Sequence, residues 1–379
     1  MIEPYVKLGP PMTRQLNSLS LTAPQLPLSS GESRRLAMCT WTLVIGLLFL
    51  SGASVAQEYV GDREARVLLQ LPHDARGDSV AITKLRLSPD SNSIALGASD
   101  GSVRIVTIAD GSERRLARLE HPTGHIEFSP DGTRLAAGSF FILNPTGIGQ
   151  INDQKAIDKL PLRGCVAFSP DGKLLAVGNS RGDATVVDVS TGETRLNMNQ
   201  YAGVGPVDTG LYKPRTLTMD FSRDGSRLAV TTDFFDDELP RFQNVQVWDM
   251  QTRKLRFFLR GTSCGFSPTG DLLAYREETY DRDGRVVLLD IETFLTAGVL
   301  TGRFQDARFA PDNRTMAATS RQHVELWTIP TQDARTRRCE RNVVLQHPTD
   351  VTSLAFAPDG RSLVTGDEDG TIRLWILAK

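Results

Sequence analysis

Two stretches carry the spacing of a nucleophilic serine. Gly97–Gly101 reads GASDG and Gly178–Gly182 reads GNSRG, both matching G-x-S-x-G. That chemistry needs the serine on a sharp turn from a strand into a helix. Here each match joins one strand-like run to another, at equivalent points of a repeat. Ser99 and Ser180 therefore read as turn residues. The five histidines, His73, His121, His125, His323 and His347, do not cluster at metal-ligand spacing. His73, His121 and His347 fall at the same corner of the repeat, and His125 opens the strand that follows one of those corners. Cys39, Cys165, Cys264 and Cys339 form no C-x-x-C pair, so neither a zinc site nor a disulfide framework is suggested. Carboxylates gather at Asp236, Asp237 and Glu238 and again at Asp281 and Asp283. Calcium takes such oxygens, but Asp281–Gly284 (DRDG) lacks the further spacing of a calcium loop, and Asp283-Gly284 has a turn role of its own. No glycine loop for phosphate is present. No catalytic residue, metal or cofactor is expected.

Composition places these residues in an ordinary globular chain. Of 379 residues, 40% are hydrophobic and 23% charged, with a formal net charge of −2. Residues 1–56 carry Lys7, Arg14, Arg34 and Arg35 against Glu3 and Glu32, which leaves −4 on the remainder. That balance gives no polyanion-binding signature, and no nucleic-acid partner is expected.

Residues 38–56 are uncharged, with the apolar centre LVIGLLFL at Leu43–Leu50. Arg34 and Arg35 precede it and a small-residue exit follows. Residues 34–56 thus have the pattern of a secretory signal, with cleavage expected before Gln57. The eight-residue centre is short against the ~20 apolar residues of a membrane span, yet the uncharged stretch of nineteen leaves an uncleaved anchor as the alternative. Residues 1–33 lack periodicity and read as a disordered extension or a start assigned too far upstream. The expected location is extracytoplasmic, periplasmic or secreted, with membrane attachment only through residues 38–56 if they are retained.

The elements that must position any site come from a repeat. Its turn motif is LSPD at Leu87–Asp90, FSPDG at Phe128–Gly132 and Phe168–Gly172, FSRDG at Phe221–Gly225, FSPTG at Phe266–Gly270, FAPDN at Phe309–Asn313 and FAPDG at Phe356–Gly360. Successive copies lie 41, 40, 53, 45, 43 and 47 residues apart, a period that marks a repeat architecture. Proline presets the second position of a type I turn, aspartate accepts local backbone bonds and glycine tolerates positive φ. Each copy therefore joins two antiparallel strands, a and b. A second turn such as Asp369-Gly370 leads to a third strand, c, and a fourth, d, follows.

From about residue 63 to 379 the chain resembles the WD40-repeat family. The resemblance rests on the seven turns, on Asp369-Gly370 ahead of Trp375, on Trp248-Asp249, on Trp327 at the matching strand position, and on Gly124-His125. Asp188 and Asp290 keep the aspartate where Val187 and Leu289 replace the tryptophan. Four of seven repeats lack the tryptophan and most lack the histidine, so the family's His–Ser–Asp–Trp network is not expected to be complete. The family implies an all-β, seven-bladed β-propeller of four-stranded antiparallel blades. It also implies a non-enzymatic, monomeric protein-interaction scaffold with a protein partner.

The last repeat supplies strands a, b and c but no d. Ala65–Asp74 (ARVLLQLPHD) matches the pattern of Asn342–Asp350, a d strand entering an a strand. Arg66–Leu71 is thus expected to pair with Thr371–Leu377 and complete the last blade. An open edge would otherwise invite aggregation. Val67, Leu68, Leu69 and Leu71 would each add ~1.5–3 kcal/mol if fully buried.

Alternation of strands puts the b–c and d–a loops on one face. Three long loops lie there over blades 4 and 5: 200–214, 233–243 and 276–284. They offer Tyr201, Tyr212, Phe234, Phe235, Phe242 and Tyr280, ringed by Asp236, Asp237 and Asp281. Aromatic anchors with a charged rim suit a protein interface, and these residues are the expected partner surface. The opposite face carries the c–d loop of blade 6, 331–342, with Arg335, Arg337, Arg338 and Arg341. Cys339 in that loop is expected to be an exposed thiol, and Cys165 and Cys264 to act as small hydrophobes in a strands. The rival reading is an enzyme or small-ligand binder that uses the channel mouth, favoured if histidines and carboxylates converge there.

Overall fold

A computed structural model describes residues 65–74, 76–119, 121–139, 147–150, 158–159, 164–178, 184–198, 213–235, 242–277, 284–330 and 338–377. The segment read as an export signal lies outside them. Described residues form strands and turns, with no helix among them.

Among the described residues, twenty-seven strands group into seven blades. After β1 (Arg66–Gln70), blade 1 is β2 (Ile82–Leu87), β3 (Ser93–Ala98), β4 (Ser102–Thr107) and β5 (Glu113–Arg118). Blade 2 is β6 (Thr123–Phe128), β7 (Arg134–Ser139), β8 (Gly147–Gln150) and β9 (Asp158–Lys159). Blade 3 is β10 (Val166–Phe168), β11 (Leu174–Gly178), β12 (Ala184–Asp188) and β13 (Thr194–Met198). Blade 4 opens with β14 (Lys213–Phe221), β15 (Arg227–Phe235) and β16 (Phe242–Asp249). The long β17 (Lys254–Phe266) serves both as its fourth strand and as the first of blade 5, which continues with β18 (Leu272–Glu277), β19 (Val286–Asp290) and β20 (Thr296–Leu300). Blade 6 is β21 (Ala307–Phe309), β22 (Thr315–Ser320), β23 (His323–Thr328) and β24 (Glu340–Gln346). Blade 7 is β25 (Val351–Phe356), β26 (Ser362–Asp367), β27 (Thr371–Ile376) and β1.

The innermost strands touch in the cyclic order β2, β6, β10, β14, β17, β21, β25 and back to β2. The described strands form a closed seven-bladed β-propeller. Closure runs as the repeat pattern predicts: β1 lies antiparallel to β27, with Arg66 opposite Leu374, Val67 opposite Arg373 and Gln70 opposite Thr371. Leu71 N–H then donates to the Gly370 carbonyl at 3.0 Å. Burial along β1 is less uniform than expected. Leu68 and Leu71 are buried and Leu69 partly so, but Val67 is 54% exposed. As the outer strand of its blade, β1 has one covered face, and the bulge between Val67 and Leu69 turns Leu68 inward.

The core is divided by interface. Among the described residues seven apolar clusters form, one between each pair of neighbouring blades. The cluster between blades 7 and 1 joins Leu68 and Leu71 to Ile82, Leu85, Ile94 and Leu96 and to Ile372 and Leu374. The Ser-Pro-Asp turns are knit by side chains. Ser129 Oγ donates to Asp131 Oδ1 at 2.5 Å and accepts Arg134 N–H at 2.9 Å, and Ser169 and Ser222 do the same with Asp171 and Asp224. Where the terminal glycine is replaced, Asn313 still adopts φ of 56°.

Blades 4 and 5 depart from the plain repeat. Their strands run unbroken through β17, giving one seven-stranded sheet. Gly261 and Gly265 allow this, with φ of +138° and +112°. A side chain on Gly261 would begin 2.1 Å from the Arg276 carbonyl oxygen. The b–c loop of blade 4 is also shorter than expected. Phe234 and Phe235 still belong to β15, and Phe242 and Gln243 to β16.

Candidate functional site

On the b–c/d–a face, Phe235 pairs with Lys213 and Phe242 with Phe234 through the backbone. Phe234 is fully buried. Tyr201, Tyr212, Asp236, Asp237, Tyr280 and Asp281 lie outside the described residues. Across blades 4 and 5 a polar relay crosses five strands. Arg215 Nε pairs with the buried Asp233 carboxylate at 2.8 Å, and Gln243 Nε2 donates to the same carboxylate at 3.4 Å. Thr262 Oγ1 donates to Gln243 Oε1 at 2.5 Å, and Arg276 Nη2 donates to Thr262 Oγ1 at 3.4 Å. Arg276 Nη1 reaches the carbonyls of Phe304 and Gln305 at 3.3 and 3.4 Å, tying blade 5 to blade 6. The face therefore has a braced base of charged and polar groups. Arg276, Arg303 and Arg321 give a positive rim to a cavity of about 500 Å³ beside it.

The channel holds a second candidate, absent from the sequence-based list. Immediately before the Phe or Leu of each turn motif stand Arg86, Glu127, Ala167, Asp220, Gly265, Arg308 and Ala355. Two residues further back stand Lys84, His125 and Asp306 on blades 1, 2 and 6. All but Ala167 and Asp306 in these sets line one cavity of about 590 Å³, whose wall continues to the a–b turns at Arg223, Pro268, Pro311 and Pro358. The cavity thus belongs to the face opposite the predicted one. The signal was present as one register position read across seven repeats. It was hidden because each strand by itself looks like an ordinary a strand.

Electrostatics in this channel are shaped by burial. Lys84 Nζ and Asp306 Oδ2 are 3.4 Å apart, and Arg308 Nε lies 3.3 Å from Asp306 Oδ1. Burial opposes ionisation of Asp306, but Arg308 and Lys84 outweigh it and hold the carboxyl at about 2. Burial draws Lys84 down to about 8 and, with the three nearby cations, keeps His125 neutral, at about 3. Burial lifts Glu127 to about 7 and also raises Asp220. Glu127 Oε1 accepts the Phe168 N–H at 3.3 Å, and Asp220 Oδ2 accepts the Phe266 N–H at 2.7 Å.

Three tryptophans solve the same problem, a buried indole N–H, in different ways. Trp375 Nε1 donates to Thr365 Oγ1 at 2.9 Å, and that hydroxyl lies 2.8 Å from His347 Nε2. His347 Nδ1 is 3.2 Å from the Leu345 carbonyl, and its ring packs on Trp375 with centroids 5.1 Å apart. The neutral tautomer with its proton on Nδ1 satisfies all three groups. In blades 4 and 6 the indoles turn instead to their own strands. Trp248 Nε1 donates to Gln246 and Trp327 Nε1 to Glu325.

Ser99 is a turn residue, accepting the Ala81 N–H at 3.0 Å through its hydroxyl; Ser180 lies outside the described residues. On the opposite face, Arg338 and Arg341 are exposed, and Arg341 pairs with Glu325 at 3.2 Å; Arg335 and Arg337 are not among the described residues. Cys339 corrects the expectation of an exposed thiol. It is 5% exposed and packs with Ala274, Leu300 and Trp327 between blades 5 and 6. The cause is Gly298 on β20, whose missing side chain leaves space for the sulfur: a Cβ there would lie 2.7 Å from Sγ. Cys165 is buried as expected, while the Cys264 side chain is not described. Among the described residues no group of three His, Cys, Asp or Glu is placed to hold a metal.

A ring of four-stranded blades built on a forty-residue repeat defines a β-propeller of the repeat class. The family described as "WD domain, G-beta repeat" (WD40) matches residues 164–187 and 339–375, in blade 3 and across blades 6 and 7. These matches support reading the repeats of this chain as WD40-like. It is 24% identical over 219 residues to the periodic tryptophan protein 2 homolog of Dictyostelium discoideum, covering 55% of this chain and 21% of that protein. It is 27% identical over 187 residues to a guanine nucleotide-binding protein subunit beta of Zea mays, covering 46% and 44% respectively. It is 28% identical over 147 residues to the small ribosomal subunit protein RACK1y of Oryza sativa subsp. japonica, covering 35% and 41%. The chain spans less than half the length of each of these relatives.

Proposed function

We propose that this propeller is a non-enzymatic protein-interaction scaffold, exported from the cytoplasm, that engages a protein partner through the b–c/d–a face over blades 4 and 5. The observation that carries the choice of face is the relay from Arg215 to Arg276. It braces five successive strands of blades 4 and 5, which gives their b–c/d–a ends a rigid base for binding. Two of the similar proteins are by name subunits of larger assemblies, which supports an interaction role. The apolar run at Leu43–Leu50 behind Arg34-Arg35 supports export.

The test compares two faces. Tyr212→Ala with Tyr280→Ala alters the proposed surface, and Arg338→Ala with Arg341→Ala alters the opposite one. Affinity capture with the full chain and both double variants, followed by quantitative mass spectrometry, should show partners lost from the first and kept by the second. Equal recovery by all three would reject this surface.

A further inference from the structure

We infer that the channel is a binding site for a free α-amino acid, with the ligand carboxylate held by Arg86 and Arg308 and its ammonium by Glu127 and Asp220. The inference does not depend on the scaffold reading, because the site lies on the a–b side of the wheel. Size is the first argument. The cavity measures about 590 Å³, inside the ~300–1,000 Å³ range of small-molecule sites. Gly265 and Ala355 contribute almost no side chain to its wall, which keeps the room open.

Charge is the second. Lys84, Arg86 and Arg308 come from blades 1 and 6, and on that side Lys84 and Arg308 share the one carboxylate of Asp306. Glu127 and Asp220 come from blades 2 and 4 and are held in place by backbone N–H groups of the neighbouring blades. The cavity therefore presents three cationic side chains and two carboxylates to one shared space. A simple anion would satisfy the guanidinium groups and repel the carboxylates, and a simple cation would do the reverse. A zwitterion answers both. Burial raises Glu127 and Asp220 and lowers Arg86, so each buried charge is costly and gains from a further opposite charge.

Spacing is the third. Asp220 Oδ2 and Arg308 Nη1 lie 2.9 and 3.6 Å from the point where a Gly265 side chain would begin. A carboxylate and a guanidinium thus meet the same small stretch of wall. That short separation fits two charges carried on one α-carbon better than charges at the ends of a long chain.

The experiment uses the full chain and the twenty protein amino acids singly, with acetate and methylammonium as one-charge controls. Thermal shift finds binders and calorimetry measures affinity. Glu127→Gln and Asp220→Asn keep the oxygen that accepts the Phe168 or Phe266 N–H but remove the charge, so both variants should remain folded by circular dichroism. At least one amino acid should raise the melting temperature at about 1–10 mM while neither control does. Each variant should weaken its affinity by about tenfold or more. Wild-type affinity should tighten between pH 6 and 8 as Glu127 ionises near 7. No shift by any amino acid, an equal shift by acetate, or unchanged affinity in both folded variants would overturn the site and leave a self-neutralised, water-filled channel.

Discussion

Thr371 Oγ1 donates to Gln70 Oε1 at 2.6 Å, joining side chains 301 positions apart in the chain. Gln70 Nε2 in turn donates to the Asp369 carbonyl at 2.8 Å. These bonds sit at one end of the β1–β27 pair, where the Leu71 backbone continues onto Gly370. The two ends of the repeat array thus meet in one sheet, and every blade acquires a neighbour on both sides.

Within β1, the stabilising contacts belong to residues that face blade 1. Leu71 is 1% exposed, against 54% for Val67. Leu71→Ala should cost ~2–5 kcal/mol, as expected for a large-to-small change in a packed core. Val67→Ala should stay within ~0.5 kcal/mol of wild type. Urea unfolding of both variants measures the contrast, and similar losses would mean that β1 is not seated as described.

Acid should weaken the fold through His347. Burial and the Arg373 charge lower its pKa from 6.5 to about 4. Between these values the unfolded chain takes up a proton that the folded chain refuses. The stabilising contribution is therefore complete above pH 6.5 and is lost as pH falls toward 4, by ~3 kcal/mol at the limit. His347→Gln should lie below wild type at pH 7, with the gap shrinking by pH 4. A gap independent of pH would assign no titration to this residue.

Glu127 acts in the opposite sense. Its folded pKa is raised from 4.5 to about 7 by burial, so the folded chain holds a proton that the unfolded chain releases. That contribution is complete below pH 4.5 and is lost as pH rises through 7. Glu127→Gln should match wild type near pH 5 and be more stable by ~2–3 kcal/mol at pH 8. Melting curves at the two values decide it, and equal stability at pH 8 would contradict the buried placement.

Cys339 should behave as a core residue. Burial pushes its thiol up to about 11, and that of Cys165 to about 12. Alkylation followed by peptide mapping should leave both unmodified in the native chain and label both in denaturant. Rapid native labelling of Cys339 would return it to the surface.

What could be read from the residues differs by kind of feature. The turns were legible because proline, aspartate and glycine each have a local conformational reason to be there, and Ser129, Ser169 and Ser222 carry out that local bonding. Closure was legible because Val67–Leu71 repeats the apolar pattern of a d strand. The Cys339 thiol was misplaced because its burial depends on a partner distant in sequence, the Gly298 backbone. The continuous β17 was missed because Gly261 and Gly265 look like loop residues until their positive φ is seen to carry a strand onward. The charged channel was overlooked because Arg86, Glu127, Asp220 and Arg308 come together only when the blades are arranged in a ring.

Thermal unfolding of a chain starting at Ala81, beside one starting at Gln57, tests ring closure most directly. The shorter chain lacks β1, so β27 has an open edge and the blade 7–blade 1 cluster loses Leu68 and Leu71. It should aggregate or melt at a far lower temperature than the longer one. Equal midpoints for the two would contradict closure through β1.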